Sequence, residues 1–223
     1  KKWFGNSAVV DDAGKPMVVY HSTNALQWGS TDLGFSEFLT QTSEMGAHFG
    51  TVDQANGFGS NKGRRIMPVY LSISNPLRLR DDGDFEVKTV IAQLVDEGIA
   101  SAQEGGRRFG EDWAQTGDTE AGIKAVQKFL EEKGYDGIVY LNRREGFDPF
   151  GPDGVSGTEL NEMTDEEVMD YFPEAQDSYI AFKPTQIKSA IGNTGAFDPE
   201  NPDISYSPRQ FRSAQGQRFT LQD

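Results

Sequence analysis

Apolar residues along this chain fall into short alternating runs and longer runs of helical period, mixed in no regular order. Asp11-Asp12-Ala13-Gly14-Lys15-Pro16 separates the apolar segments Ala8–Val10 and Met17–Tyr20, which predicts a small hairpin. Thr51 to Phe58 suits one short helix, with Asp53 in its first turn and a glycine stop. Met67–Ile73 alternates apolar and small residues and predicts a strand; Asn75-Pro76 then turns the chain into Leu77–Arg80. Val87, Val90, Ile91, Leu94 and Val95 recur at helical spacing within 87–99. Ile123, Val126, Phe129 and Leu130 do the same within Thr119–Lys133, where Gly134 supplies a stop. Gly137–Leu141 follows at once as a buried strand, Tyr179–Phe182 is another, and Gln186–Ile191 is a further short element.

Three stretches break this pattern. Gly29 to Ser43 mixes Gly, Ser and Thr around isolated aromatics and suits a loop that covers something. Phe147 to Ala175 turns acidic and rich in turns, although Thr164-Asp165-Glu166-Glu167 carries a helix-capping signal; residues 147–175 are expected to be an insertion on a shared core. Residues 207–223 look like a polar tail or linker, leaving 1–206 as one domain. No internal repeat is evident. Irregular alternation of strands and helices, with 25 glycines, favours a mixed α+β domain over a doubly wound sheet.

Composition narrows the chemistry. Hydrophobic residues make up 36% and aromatics 11%, enough for a substantial core and too many for a disordered chain. A formal charge of -14 repels phosphate backbones and disfavours broad nucleic-acid binding. A local basic pocket remains open, with Lys62-Gly63-Arg64-Arg65 and Arg143-Arg144 as candidates. The absence of cysteine removes disulfides, thiolate catalysis and cysteine-bound zinc. No His-Glu-x-x-His spacing suggests a metal, and no apolar run approaches a membrane span. The chain opens Lys1-Lys2-Trp3, without an initiator methionine or a signal-like stretch, and is expected to be a piece of a longer protein or a trimmed one.

Both histidines fall in short motifs, Val18-Val19-Tyr20-His21-Ser22-Thr23 and Gly46-Ala47-His48-Phe49-Gly50-Thr51. Each sits at the end of a strand-like run beside small residues. Imidazole is readily held as a directed hydrogen-bonding group near neutral pH. The plain alternative is two satisfied polar groups at strand ends.

Taken in order, the segments resemble the ADP-ribosyltransferase fold, in particular the versions carried in polyvalent proteins of phages and mobile elements. The resemblance runs from Trp3 to about Ile204. It rests on Trp3-Phe4-Gly5-Asn6-Ser7, the two histidine motifs, and Met67-Pro68-Val69-Tyr70-Leu71-Ser72-Ile73-Ser74-Asn75-Pro76-Leu77. It continues through Gly134-Tyr135-Asp136-Gly137-Ile138-Val139-Tyr140 with Asn142 and Glu145, then Ser178-Tyr179-Ile180-Ala181-Phe182 and Asn201-Pro202-Asp203-Ile204. It implies a split β-sandwich of two small antiparallel sheets with flanking helices. It also implies an enzyme of the histidine-first-motif class, similar to diphtheria toxin and poly(ADP-ribose) polymerase catalytic domains. Such an enzyme cleaves the nicotinamide–ribose bond of NAD and transfers ADP-ribose to a macromolecular acceptor, expected here to be a host protein in the cytoplasm of a bacterial cell. NAD would be the substrate, with no metal.

On this resemblance His21 holds a ribose hydroxyl, Ser22 offers its backbone to the nicotinamide amide, and Thr23 supports the turn. Ser22 stands where the family most often has glycine. His48 stands where a stacking tyrosine is common, followed by Phe49; an imidazole could stack or donate. Phe58 is either a second stacking wall or core. Glu145, spaced Asn-x-x-Glu from Asn142, is the expected carboxylate, with Asp177 or Glu174 as rivals beside Ser178. Gln186 is expected to order the last sheet. Other activities left open are a non-catalytic nucleotide- or protein-binding module, NAD hydrolysis, and an RNA 2′-phosphotransferase-like enzyme, a branch that also carries histidine at the second motif.

Overall fold

The computed structural model describes residues 3–23, 38, 40, 44–57, 65–108, 120–152, 154–193, 198–204, 210–212 and 218–220. The expected covering loop at 29–43 lies largely outside these residues, as do Phe58 and Lys62-Gly63-Arg64.

Strands β1 (Val19–Thr23), β3 (Arg65–Leu71) and β7 (Ile187–Ser189) form an antiparallel sheet in the order β1-β3-β7. A second sheet runs β2-β6-β5-β4, from β2 (Ala47–Phe49), β6 (Asp177–Ala181), β5 (Gly137–Leu141) and β4 (Pro76–Arg78). Only its β4–β5 pair is parallel. The architecture is the α+β split sandwich that the resemblance implies.

Alternation along the strands explains the layering. Val139, Tyr179 and Ala181 of the second sheet meet Val19, Val69 and Leu71 of the first in one core. The residues between them, Ile138, Tyr140 and Ile180, point the other way and meet a helical layer. That layer is built by α2 (Val87–Asp96) and α4 (Glu120–Glu132). The apolar stripe expected for α4 is buried, together with Gln127. Each fully buried Phe or Leu of this kind contributes about 1.5–3 kcal/mol. Helix α1 (Val52–Gly57) follows β2, and α3 (Ala102–Arg108) follows α2.

Residues 147–175 hold two short helices, α5 (Gly157–Glu162) and α6 (Asp165–Tyr171). Both start in reciprocal capping boxes, Ser156 with Glu159 and Thr164 with Glu167. Leu160, Val168, Phe172 and Ala175 close a small core over Leu141. Arg143, 1% exposed, pins this unit: one guanidinium nitrogen donates to the Leu160 and Met163 carbonyls and another to Asp165. Within the stretch expected as tail, β8 (Gln210–Arg212) pairs with β9 (Arg218–Thr220). No described helix is long and apolar enough to cross a membrane.

Candidate active site

The two sheets touch where Tyr20 and Gly50 exchange backbone hydrogen bonds of 2.8 and 3.0 Å. Beside this seam opens a cleft of about 280 Å³. His21, Ser22, His48 and Glu145 all border it, although they come from β1, β2 and the turn after β5.

His21 lies two residues beyond Val19, so it continues the face of β1 that looks into the sandwich. Its ring packs against Phe38 and Phe49, with centroids 5.1 and 5.4 Å away. Nδ1 donates to the backbone carbonyl of His48 at 2.7 Å. A carbonyl can only accept, so the neutral ring carries its proton on Nδ1 and leaves the Nε2 lone pair free. Burial lowers the pKa of His21, against the opposing pull of the His48 carbonyl, which favours that neutral form.

His48 leaves β2 on the other face, toward Phe85 and Tyr140 of the helical side. Its Nε2 donates to the Glu44 carbonyl at 2.7 Å, so Nδ1 accepts from the Tyr140 hydroxyl at 2.8 Å. Burial pulls its pKa down to about 4, with the Glu44 carbonyl working against it and His21 adding a smaller lowering. Burial, followed by the nearby charges of Glu145 and Asp81, raises the Tyr140 pKa, so its hydroxyl stays a donor. Of the two abilities expected of His48, hydrogen-bond donation is spent inside the protein, and the residue borders the cleft.

The Glu44 carbonyl is presented by an unusual turn. Glu44 (φ 59°), Met45 (φ 64°) and Gly46 (φ 134°) are consecutive left-handed or glycine-type residues. At Gly46 an added Cβ would stand 2.7 Å from the Thr40 carbonyl oxygen, so no other residue fits. Gln127 of α4 holds the turn by donating to the Thr40 and Met45 carbonyls at 2.7 and 3.0 Å.

Glu145 is fixed by Asn142, which is 2% exposed. Asn142 Oδ1 accepts from the Glu145 and Arg144 amides, and Nδ2 donates to Glu145 Oε2 at 2.8 Å and to Ser178 Oγ at 3.2 Å. The expected Asn-x-x-Glu spacing is thus a side chain closing onto its own turn. The rival carboxylates stand elsewhere: Asp177 binds Arg78 at 2.6 Å, Glu174 is exposed, and neither borders the cleft. Ser178 does, and its hydroxyl donates to Oε1 of Gln54, a residue of α1 that also borders the cleft.

Ser22 borders the cleft, and its Oγ is buried without a hydrogen-bond partner. A buried hydroxyl in that state is stabilised by any ligand atom that pairs with it. Thr23 pairs with Arg65 at the end of β1 and does not border the cleft. Phe49, 1% exposed, is chiefly core and backs the His21 ring. Gln186 is consumed by the Phe182 and Lys183 amides and the Ser72 and Asp136 carbonyls. Tyr140 and Gln54 are among the site residues that sequence reasoning missed, as are the cleft carboxylates Glu44, Asp81 and Asp84. Nothing marked Tyr140 within a buried strand, whereas the polar Gln54 on the buried face of a short helix was a usable signal. Among the described residues, no cluster of three or more His, Asp or Glu is placed to hold a metal ion.

The arrangement offers a free imidazole lone pair, an unpaired hydroxyl and a braced carboxylate around one space. That set can hold a polyhydroxylated ligand and stabilise positive charge that develops on it. The sequence model of a family described as "ADP-Ribosyltransferase in polyvalent proteins" matches residues 11–197. No curated protein matches the chain, and no solved structure does.

Proposed function

The chain belongs to the family of ADP-ribosyltransferases in polyvalent proteins, and from that premise we propose that it uses NAD as donor and passes ADP-ribose to a macromolecular acceptor. The observation that carries the proposal is the meeting of His21 with Ser22, His48 and Glu145 on one cleft from three separated segments. His21 Nε2 accepts from a ribose hydroxyl. The Ser22 segment takes the nicotinamide amide, and its orphan hydroxyl gains a partner there. The His48 ring face lies beside the nicotinamide.

The bond between ribose C1 and the nicotinamide nitrogen breaks, and its electron pair stays on nicotinamide, which leaves neutral. The sugar becomes oxocarbenium-like, and the Glu145 carboxylate faces that positive charge. A lone pair on the acceptor then forms the new bond to C1, and the acceptor releases a proton. One well-aimed electrostatic group of this kind is worth roughly 3–4 kcal/mol. On this reading the acceptor is a macromolecule, with a bacterial host protein as the first candidate, because the resemblance is to versions carried by phages and mobile elements.

Nicotinamide release and labelling of protein by tagged NAD test the proposal together. Glu145→Gln should slow release roughly 100- to 1,000-fold. His21→Ala should remove most labelling, with both variants keeping the wild-type fold by circular dichroism. Full activity in both variants would defeat the assignment.

A further inference from the structure

Among the described residues that border the cleft, four are acidic, Glu44, Asp81, Asp84 and Glu145, and one is cationic, Arg144. An acidic wall is a poor host for an anionic ligand unless that cation is reserved for it. The structure shows how it is reserved. Asp81, 5% exposed, already accepts from the Gly83 amide at 2.9 Å and the Arg143 amide at 3.0 Å. Its nearest approach to Arg144 is 3.8 Å from Nε, beyond a hydrogen bond. Arg144 Nε is accordingly buried with no hydrogen-bond partner. One terminal nitrogen, Nη2, donates to Asn161 Oδ1 of α5, which sets the plane of the guanidinium. Gly83, at φ 96°, lets that plane lie on the loop: a Cβ there would stand 3.0 Å from Nε and 3.1 Å from Nη2.

We propose that Arg144 is the phosphate-binding residue of the cleft, taking a pyrophosphate oxygen of the dinucleotide through its planar nitrogen edge, with Asn161 as the residue that positions it. The inference rests on the dinucleotide reading above. A guanidinium fork fits phosphate oxygens in two parallel hydrogen bonds, which a lysine cannot reproduce. Arg144 and Glu145 are consecutive, so one short turn braced by Asn142 carries both the anchor for the phosphates and the carboxylate for the sugar. The insertion then has a task at the site: through Asn161 it sets the grip on phosphate.

Calorimetric titration with two probes separates the possibilities. ADP-ribose carries the two phosphates, and nicotinamide riboside carries the reacting ring and sugar without any. Arg144→Gln should weaken ADP-ribose about 10- to 100-fold, the range for a hydrogen bond to a charged group. Nicotinamide riboside should stay within about twofold of wild type, which also reports a folded cleft. Asn161→Ala should weaken ADP-ribose by a smaller factor and leave the riboside alone. Unchanged ADP-ribose binding in Arg144→Gln, or equal weakening of both probes, would overturn the phosphate assignment alone. A wild-type protein that binds neither ADP-ribose nor NAD would overturn the dinucleotide reading, and this inference with it.

Discussion

His48 has both ring nitrogens engaged, one by a carbonyl and one by a hydroxyl, while His21 has one engaged and one bare. That difference sorts them physically: His21 is equipped to meet a ligand, and His48 ties the Glu44 turn to Tyr140. It also makes His48 a stability element with a pH signature. Its pKa is about 4 in the fold against 6.5 for the free side chain, so the unfolded chain binds more protons between those values. Its stabilising contribution is complete above about pH 6.5 and is lost as pH falls through 4, a total of roughly 3 kcal/mol, of which about 2 is gone by pH 5. Urea unfolding at pH 7 and pH 5 checks this: His48→Gln should remove about 2 kcal/mol of the acid sensitivity of the wild type, and identical pH dependence in both proteins would contradict it. At this scale the sequence was partly legible. The histidine motifs stood out because each placed an imidazole at the end of a strand-like run, whereas Asn142 with Glu145 stood out only through the family's Asn-x-x-Glu spacing. Tyr140 was invisible, since a tyrosine inside Gly-Ile-Val-Tyr-Leu reads as core until its hydroxyl is seen on His48.

Elements hold these residues by devices that lie outside the motifs. Helix α4 reaches under the cleft with Gln127, and the strained Glu44–Met45–Gly46 turn persists because two of the carbonyls at that corner, those of Thr40 and Met45, are satisfied there. Backbone in such regions costs of order 1–3 kcal/mol per residue unless the surroundings fix it. Gln127→Leu keeps the volume roughly and strands both carbonyls, so it should lower stability by about 2–4 kcal/mol. The measurement is the urea midpoint at pH 7, and a loss below about 1 kcal/mol would contradict the clamp. Helix α4 itself was plain in the sequence because its apolar residues kept a helical period above a glycine stop. Helix α3 escaped notice: Ala-Gln-Glu-Gly-Gly-Arg-Arg has no apolar face and two glycines. Helix α5, Gly-Thr-Glu-Leu-Asn-Glu, shows one buried leucine and is held by its cap and by Arg143. Periodicity finds elements whose sequence carries an apolar face, and the α3 sequence has none while α5 has a single leucine.

Across the whole molecule, a chain of charge -14 presents a cleft whose charged residues are mostly acidic, yet the chemistry proposed for it begins with an anionic dinucleotide. On the proposed reading the roles divide: Arg144 would meet the phosphates, and the Glu145 carboxylate would meet the sugar as it turns positive. Two sheets meeting at the Tyr20–Gly50 seam bring the ends of β1 and β2 together, and the turn after β5 brings in Glu145. The order of segments was enough to suggest that sandwich, and the Asn-x-x-Glu spacing singled out Glu145, but the pairing that turns the rival Asp177 to Arg78 is one that no spacing encodes. The most direct check uses the fact that the chain holds two histidines in 223 residues. Nitrogen-15 NMR of the imidazoles at pH 7 should show two neutral rings of opposite tautomer, His21 protonated on Nδ1 and His48 on Nε2. Saturating NAD, added to the Glu145→Gln protein, should move the Nε2 signal of His21 and leave His48 on the same tautomer. Two unmoved rings at saturation would contradict the claim that the dinucleotide sits against His21.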